Sequence, residues 1–556
     1  MVRRIRWQIL IAVISSILVL MLMSYLAISI AAVQRPAEGG EYVEALLGVP
    51  GQLNPLLSDA VADQSAADIR ALIFEGLLSN SPDGLPLPAL AQSWELSADG
   101  ETYLFTLRPN VRWHDGKPLT AKDVLFTIQA IQNPAYAGDM SLAAIWRTVD
   151  VEAIGDLQIR CRLSTVYAPF LKYASFPILP AHIFENSSAD QWATLPFNQL
   201  PIGTGPYRLT ELNASHALLQ VNGQYYGTKP FIQSIELRFF ESQDAAVNAL
   251  VSGDVRGLHF LSTNEARSFK TPETIIRRSA ALDRMTMLSF NLRRAPMNEA
   301  PFRRALATGL DRMAVIARAL DGQGTLVDGP LLPQNWASAS DISWYEPSQQ
   351  RAAALLDQLG FTMQASGRRA REGQVLVLTL ITDTAPDRLA SANEIVRQWA
   401  TLGINVTVEQ LSAQDLQARL ATHDFDLALH AWQRIGPDPD VYELWHSDAA
   451  EEGANYAGLQ DGEIDTLLLS ARQTPDREVR AAAYGAFQRR WIELAPSIPL
   501  YQVQLIYLMS NDVNGVDLPR SNSPELASTL LYGREDRFHN LRSWFLQSSR
   551  EITNLR

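Results

Sequence analysis

The densest group of side chains that could hold a ligand lies in one loop of this sequence. Residues 431–440 read Ala-Trp-Gln-Arg-Ile-Gly-Pro-Asp-Pro-Asp, and they supply an indole at Trp432, a guanidinium at Arg434 and carboxylates at Asp438 and Asp440. An arginine in such a loop can pair with a carboxylate through two parallel hydrogen bonds. A structural interpretation stands beside this one, because Asp-Pro-Asp is typical of a turn or a helix cap and a tryptophan at a strand end can belong to the core.

The other motifs point away from catalysis. His114 and Asp115 are neighbours, but His-Asp-Gly is first of all a tight turn. Residues 203–206, Gly-Thr-Gly-Pro, lack the third glycine of a dinucleotide fingerprint and the Gly-Lys-Ser/Thr end of a P-loop. The sequence has no His-Glu-x-x-His pair and no Gly-x-Ser-x-Gly elbow. We expect no enzyme activity, no cofactor and no protein-bound metal, while nickel carried by a small chelator stays open as a ligand.

Composition limits the class of protein. A chain of 556 residues exceeds the roughly 250–300 that one hydrophobic core serves, so we expect two or three lobes. Hydrophobic residues make up 47% and charged residues 19%, which is typical of a globular protein. The 47 Lys and Arg against 60 Asp and Glu give a net charge of −13, which repels nucleic acid. We expect a monomer with no nucleic-acid partner.

The N-terminal segment has the pattern of a membrane anchor. Residues 7–33 carry no formal charge over 27 positions, whereas a helix needs about 20 residues to cross a bilayer. Arginines among the first six residues place the N-terminus in the cytoplasm and the chain after residue 35 outside. We expect a retained single-pass anchor, with cleavage near small residues such as Ser29 and Ala31 as the open alternative. Cys161 is the lone cysteine, so it forms no intramolecular disulfide, and it lies too far downstream to carry a lipid.

The body of the chain alternates strands and helices in two separate regions. The first is a β-α-β unit with a strand at 232–240, a helix from about residue 245 to Gly253 and a strand at 258–261. The second repeats the pattern over residues 375–432, and its last strand leads into the 431–440 loop. Two α/β regions predict two lobes with a cleft between them. The candidate ligand loop would then face the cleft.

Two local signals define further elements nearer the N-terminus. Residues 97–100, Ser-Ala-Asp-Gly, predict the turn of a β-hairpin. Thr120 with Asp123 three residues later predicts a capping box, and therefore a helix that begins after Thr120.

Several motifs occur in the order and spacing of one known family. They are found at residues 53–56, 73–77, 88–95, 114–124, 203–207, 289–292 and 302–307. On these residues the chain resembles the extracellular solute-binding proteins that include the oligopeptide-, dipeptide- and nickel-binding proteins of ABC importers. The resemblance covers residues 53–501 and continues more weakly to the end.

The resemblance implies an α/β architecture, the type II periplasmic-binding-protein fold, in which two lobes joined by a hinge carry an inserted extra domain and follow one transmembrane helix. The implied divisions are a cytoplasmic stub and anchor at 1–35, a first lobe made of 36–84, 203–285 and 501–556, an inserted domain at 85–202, and a second lobe at 286–500. Ligand would lie between the lobes, which close over it by hinge motion.

The resemblance also assigns roles to individual residues. Trp432 corresponds to a tryptophan that lines the cleft, while the aspartate that pairs with a peptide's amino group is replaced here by Ile435. Arg434, Asp438 and Asp440 are the charged groups that the loop offers instead. Asn291 is implied at the hinge or cleft, with turn formation as the equal alternative. Tyr207 is a further candidate, although such a tyrosine more often belongs to the core than to a ligand site.

The function implied by the resemblance is transport. The chain would capture peptides or similar small solutes outside the cytoplasm and deliver them to ABC permease subunits in the membrane. Two alternatives stay open, namely a membrane-anchored extracellular sensor and a binder of a non-peptide ligand such as a sugar, an opine or a metal chelate. The few residues before residue 7 are too short for a signalling domain, which favours transport.

Overall fold

The computed structural model describes most of the chain after residue 31. The described residues are 7, 13–23, 32–57, 63–81, 84–136, 138–187, 189–260, 271–433, 436–519 and 529–552. Much of the expected anchor, residues 7–33, lies outside these ranges, although residues 13–23 are helical with exposed apolar side chains. Within the described ranges, no helix combines the length and the apolar character that crossing a bilayer requires.

The elements of the described chain alternate as an α/β protein does. The strands are β1 (Ala32–Ala37), β2 (Glu41–Leu47), β3 (Leu78–Asn80), β4 (Pro86–Pro88), β5 (Ala91–Leu96), β6 (Thr102–Leu107), β7 (Val149–Ile154), β8 (Gln158–Leu163), β9 (Tyr207–Leu212), β10 (His216–Val221), β11 (Ser234–Phe240), β12 (Gly257–Phe260), β13 (Ile275–Phe290), β14 (Thr325–Leu326), β15 (Thr362–Met363), β16 (Arg369–Arg371), β17 (Gln374–Val375), β18 (Val377–Asp383), β19 (Asn405–Leu411), β20 (Leu427–Gln433), β21 (Ser497–Ser510), β22 (Leu530–Leu531) and β23 (Gln547–Ile552). The α-helices after residue 31 are α1 (Gln64–Ile73), α2 (Ala121–Gln132), α3 (Met140–Trp146), α4 (Ala181–Phe184), α5 (Gln243–Ser252), α6 (Ala300–Thr308), α7 (Arg312–Leu320), α8 (Gln349–Gln358), α9 (Pro386–Ala400), α10 (Ala413–Ala421), α11 (Tyr442–Trp445), α12 (Ala449–Glu452), α13 (Gly462–Arg472) and α14 (Arg477–Leu494).

The main sheet joins two groups of strands through two long ones. Its order is β19-β18-β20-β13-β21-β12-β2-β11-β10-β9. The strands β18, β19 and β20 pair in parallel and form what we call the second half, whereas β2 and β9–β12 form the first half. Between them β13 and β21 run antiparallel, with β13 bonded to β20 and β21 bonded to β12. The predicted strand and helix order of both α/β regions is confirmed.

A bulge interrupts the pairing of the two long strands. Ala281 lies opposite Gln504, whereas the next pair joins Met285 to Gln502, so residues 282–284 of β13 bulge out of the ladder with β21. Extra residues in one strand bend it and increase its local twist. The bulge lies where β13 changes partners, from β22 at Ala281 and Leu282 to β20 from Arg284 onward.

A separate antiparallel sheet, in the order β5-β6-β8-β7, lies outside the main one. Its first two strands form the predicted hairpin, and Gly100 N donates to Ser97 O at 2.9 Å in the turn. The predicted capping box is also confirmed, because Thr120 N donates to Asp123 at 2.9 Å and α2 begins at the next residue. These elements depend on short-range signals, which explains why they can be predicted from sequence.

The first half is tied to the C-terminal segment by a buried ionic cluster. Arg537 is fully buried and donates to both oxygens of Asp68, at 2.7 and 2.9 Å, and to Glu44 at 2.9 Å. Tyr42 and Tyr507 also donate to Glu44. Burial acts to raise the pKa of Glu44, but the charge of Arg537, the nearby His259 and the hydrogen bond from Tyr42 prevail and lower it to about 2. The segment 534–538 is thereby fixed against β2 and α1.

The His-Asp-Gly and Gly-Thr-Gly motifs meet in the structure. Gly203 N donates to His114 Nδ1 at 3.3 Å, and His114 Nε2 lies 3.1 Å from Gly205 O. Burial lowers the pKa of His114 to about 4, so the ring is neutral at pH 7. Both motifs therefore join the turn after β6 to the segment that leads into β9.

Gly203 approaches another backbone closely enough to make a side chain there costly. A Cβ at this position would lie 2.0 Å from the carbonyl oxygen of Ile73. We expect Gly203→Ala to lower the free energy of unfolding by about 1–3 kcal/mol, as overpacking does, measured by urea denaturation. Gly223→Ala is the matched control, because a Cβ at Gly223 meets no heavy atom within 4 Å. Equal losses in the two variants would contradict this explanation.

Candidate functional site

The loop that follows β20 contacts three separate parts of the chain. Gly436 N donates to Asp283 Oδ2 in the bulge of β13 at 2.6 Å. Pro437 packs on Gly84, where a Cβ would come within 2.8 Å of the Pro437 carbonyl oxygen, and Gly436 lies beside the aliphatic stem of Lys172. The loop thus sits where the bulge, the first half and the segment after the four-stranded sheet come together.

Asp440 bonds across this junction. It is buried, and it accepts from Arg472 Nε and Nη2 at 2.8 and 2.9 Å and from Tyr167 Oη at 2.9 Å. Burial acts to raise the pKa of Asp440, but the charges of Arg472 and Lys172 and these bonds lower it, so the carboxylate is ionised. Tyr167 belongs to the segment after β8, whereas Asp440 follows β20. This pair is therefore a direct bond between the four-stranded-sheet region and the second half.

Asp438 forms hydrogen bonds with residues that, like Asp438 itself, follow β20 in the chain. Its Oδ1 accepts from Arg480 Nη2 at 2.6 Å and from the backbone of Asp440 at 3.1 Å. The second of these bonds closes a turn, which agrees with the structural interpretation of Asp-Pro-Asp. Helix α11 begins after Val441, and Asp440 Oδ1 accepts from the N–H of its first residue, Tyr442, at 3.4 Å.

Trp432 is half-buried near the end of β20. Its ring stacks on Tyr456 with centroids 4.9 Å apart, meets His430 edge-on at 5.0 Å, and donates from Nε1 to Met287 Sδ at 3.2 Å. Trp432 is the second-last residue of β20, so it lies directly before the loop that follows this strand. One end of the indole is thus fixed in the core, and the rest of the residue keeps partial access to solvent.

Tyr207 and Asn291 are buried and bonded to backbone. Tyr207 Oη donates to Ile232 O at 2.9 Å, and Asn291 Nδ2 donates to the carbonyls of His423 and Phe425 at 2.7 and 2.8 Å. Both side chains position strands and the turns around them. The remaining predicted residue, Arg434, and its neighbour Ile435 lie outside the described residues.

Two arginines near the bulge are not among the site residues predicted from the sequence. Arg284 is the last residue of the bulge, and its closest ion-pair partner is Asp387 at 3.9 Å. Arg388, in the first turn of α9, bonds Asp383 at 2.6 Å through Nε and also through Nη2. Arg284 Nε and Arg388 Nη1 are nonetheless buried without a hydrogen-bond partner in the structure. The signal in the sequence is the charged pair Asp283-Arg284, which stands between two mostly apolar stretches of β13.

A third arginine approaches the same place from the first half. Arg534 begins the 3-10 helix Arg534–Phe538, shortly after β22, and β22 pairs with β13 at Ala281 and Leu282. Burial lowers the pKa of Arg534 to about 10, and the like charge of Arg284 contributes to the lowering. Arg534 forms no ion pair with any carboxylate among the residues that the structure describes. The same described part of the chain holds no cluster of His, Cys, Asp and Glu that could bind a metal ion.

Comparison with known proteins places this architecture in a family. A model described as bacterial extracellular solute-binding proteins, family 5 Middle, matches residues 86–478. Protein XP55 of Streptomyces lividans is 30% identical over 481 residues, covering 84% of each chain. The nickel-binding periplasmic protein of Escherichia coli (strain K12) is 28% identical over 486 residues, covering 84% of this chain and 90% of its own.

A solved structure supports the same conclusion for the fold. The oligopeptide-binding protein AppA of Bacillus subtilis (strain 168) is 26% identical over 491 residues, which cover 86% of this chain and 89% of that protein. Its structure in complex with a nonapeptide superposes with a TM-score of 0.72 at 23% identity, over 92% of this chain and all of that one. The chain therefore belongs to the bacterial extracellular solute-binding proteins of family 5.

Proposed function

We propose that this protein captures a small solute, a peptide or a similar molecule, between the two halves of its sheet and delivers it to an ABC permease. The observation that carries the proposal is the bulge at residues 282–284, where a sheet continuous through two long strands changes register between its halves. A bend at this point would open or close the space bordered by the loop after β20. Ligand binding then favours the closed form because it contacts both sides.

The division into lobes follows from this mechanism. We assign residues 36–84, 203–285 and 501–556 to a first lobe, 85–202 to an inserted domain and 286–500 to a second lobe. The assignment is supported by the separate four-stranded sheet and by the grouping of β2 and β9–β12 apart from β18–β20. The hinge of this proposal lies in β13 and β21.

The predicted binding residues take two roles in this proposal. Trp432 and Arg434 line the cleft, as an aromatic surface and a cationic group. Asp438 and Asp440 shape the loop, and the bond of Asp440 to Tyr167 holds the closed form. Tyr207 and Asn291 position the backbone behind the site.

The ligand class and the location complete the proposal. Two of the named relatives are an oligopeptide-binding and a nickel-binding protein, and Ile435 offers no carboxylate to a peptide amino group, so non-peptide solutes stand beside peptides as candidates. We place the binding body on the extracytoplasmic side, held by a single N-terminal span and acting without catalysis. The uncharged residues 7–33, which follow three arginines, support the anchor.

Native mass spectrometry of the full chain in detergent tests the function. We expect a small molecule to co-purify, to be released on denaturation, and to raise the Tm when it is returned to the empty protein, because a ligand of the native state stabilises it. Released peptides would establish the peptide class, and a sugar, opine or chelate would establish another. A chain that carries no solute, and whose Tm does not respond to short peptides or to a nickel–histidine chelate, would contradict the proposal.

A further inference from the structure

The base of the proposed cleft gathers positive charge from both halves of the sheet. Arg284 is the last residue of the bulge in β13, and Arg388 lies near it on α9, which packs on the second half. Arg534 comes from the C-terminal segment, which Arg537 fixes to the first half. Burial lowers the pKa of both Arg284 and Arg534, so their mutual repulsion is weakly screened by water.

The neighbouring carboxylates do not satisfy these arginines fully. Asp383 occupies Nε and Nη2 of Arg388, yet Nη1 stays buried without a hydrogen bond. Asp387 comes no nearer than 3.9 Å to Arg284, whose Nε is also buried and unbonded. A buried N–H donor without a partner costs about 1–3 kcal/mol, and the cost is larger for a charged group.

The carboxylates of the first half are already engaged. Asp68 is the carboxylate that acts most strongly on the pKa of Arg534, but both of its oxygens accept from Arg537. Glu535 accepts from Gln64. The unused donors at the base of the cleft are therefore left for a ligand, and planar guanidinium groups are suited to an oxyanion.

We propose that Arg284 and Arg534, assisted by Arg388, bind a negatively charged group of the solute, a carboxylate or a comparable oxyanion, at the base of the cleft. This site would hold the anion between the two halves, since Arg284 and Arg388 come from one side and Arg534 from the other. Closure would then bring the arginines toward a common counter-charge rather than only toward each other. The inference rests on the proposed solute-binding function and narrows it to anionic solutes.

Matched pairs of neutral and charged probes test the anion site. The full chain in detergent is titrated with dialanine and its C-terminal amide, and with glutarate and glutaramide, with thermal unfolding and calorimetry as readouts. We expect the carboxylate member of at least one pair to bind about 10–100-fold more tightly than the amide, the ratio that charged hydrogen bonds supply. This comparison needs no variant, so it is decisive even where a substitution impairs folding.

Variants then assign the preference to the arginines. The double substitution Arg284→Gln and Arg534→Gln is expected to abolish the preference for the carboxylate, whereas Arg489→Gln, which removes an exposed arginine paired with Asp341, keeps it. Equal affinity for both members of each pair, no response to any probe, or a preference that survives the double substitution would each overturn the anion site. The solute-binding function is judged separately by the co-purified molecule, so failure of one proposal is distinguishable from failure of the other.

Discussion

Replacement of Arg537 by leucine is expected to lower the free energy of unfolding by about 3–5 kcal/mol, because removing one partner of a buried ion pair leaves uncompensated charge inside the protein. The side chain is fully buried and, within the described chain, forms the only ion pair of Asp68 as well as one with Glu44. Since the pKa of Glu44 is about 2, its carboxylate is charged at pH 7. The full decrease in the free energy of unfolding is therefore expected at pH 7. Urea unfolding of the full chain at pH 7 measures the effect.

An exposed arginine provides the matched control. Arg489 donates to Asp341 at 2.8 and 3.0 Å, but the two side chains are 56% and 59% exposed. Ion pairs this exposed contribute little to stability, so Arg489→Leu should leave the unfolding curve nearly unchanged. A loss in Arg537→Leu as small as in the control would mean that the cluster does not stabilise the C-terminal segment.

The parts of the fold that could be predicted depend on short stretches of sequence. The unit β11-α5-β12 is visible because its strands alternate and its helix ends at Gly253, whose φ of 83° suits glycine. The hairpin turn at residues 97–100 and the capping box of Thr120 and Asp123 are local in the same way. In each case the residues that specify the element are its own neighbours.

The arrangement of the site depends on residues that are far apart in the chain. Tyr167 and Asp440 are separated by 273 positions, and neither residue carries a local sign of the other. The three arginines at the base of the cleft likewise come from β13, α9 and the C-terminal segment. Their proximity follows from strand order, which the sequence pattern does not specify. Asp438 and Asp440, by contrast, can be singled out as candidates from the sequence because a charged loop after a strand is a local feature.

Replacement of Tyr167 by phenylalanine is expected to weaken solute binding by about tenfold. The change removes only the hydroxyl that donates to Asp440 at 2.9 Å, and a hydrogen bond to a charged group contributes about 1.5–3 kcal/mol. If that bond forms on closure, its loss lowers the population of the closed form and the apparent affinity falls in proportion. The affinity and the dissociation rate of the co-purified solute are measured by calorimetry and stopped flow, and we expect most of the change in the dissociation rate.

Tyr345→Phe separates closure from the general loss of a hydroxyl. Tyr345 Oη donates to Ile492 O at 2.8 Å, and both residues belong to the proposed second lobe, so this bond is the same whether the cleft is open or closed. The control should reduce stability slightly and leave the dissociation rate as in the wild type. Unchanged affinity and an unchanged dissociation rate in Tyr167→Phe would show that Asp440 stabilises the loop after β20 but does not hold the closed form. A faster release confined to Tyr167→Phe would instead identify the Tyr167–Asp440 bond as the contact that holds the two sides together over the solute.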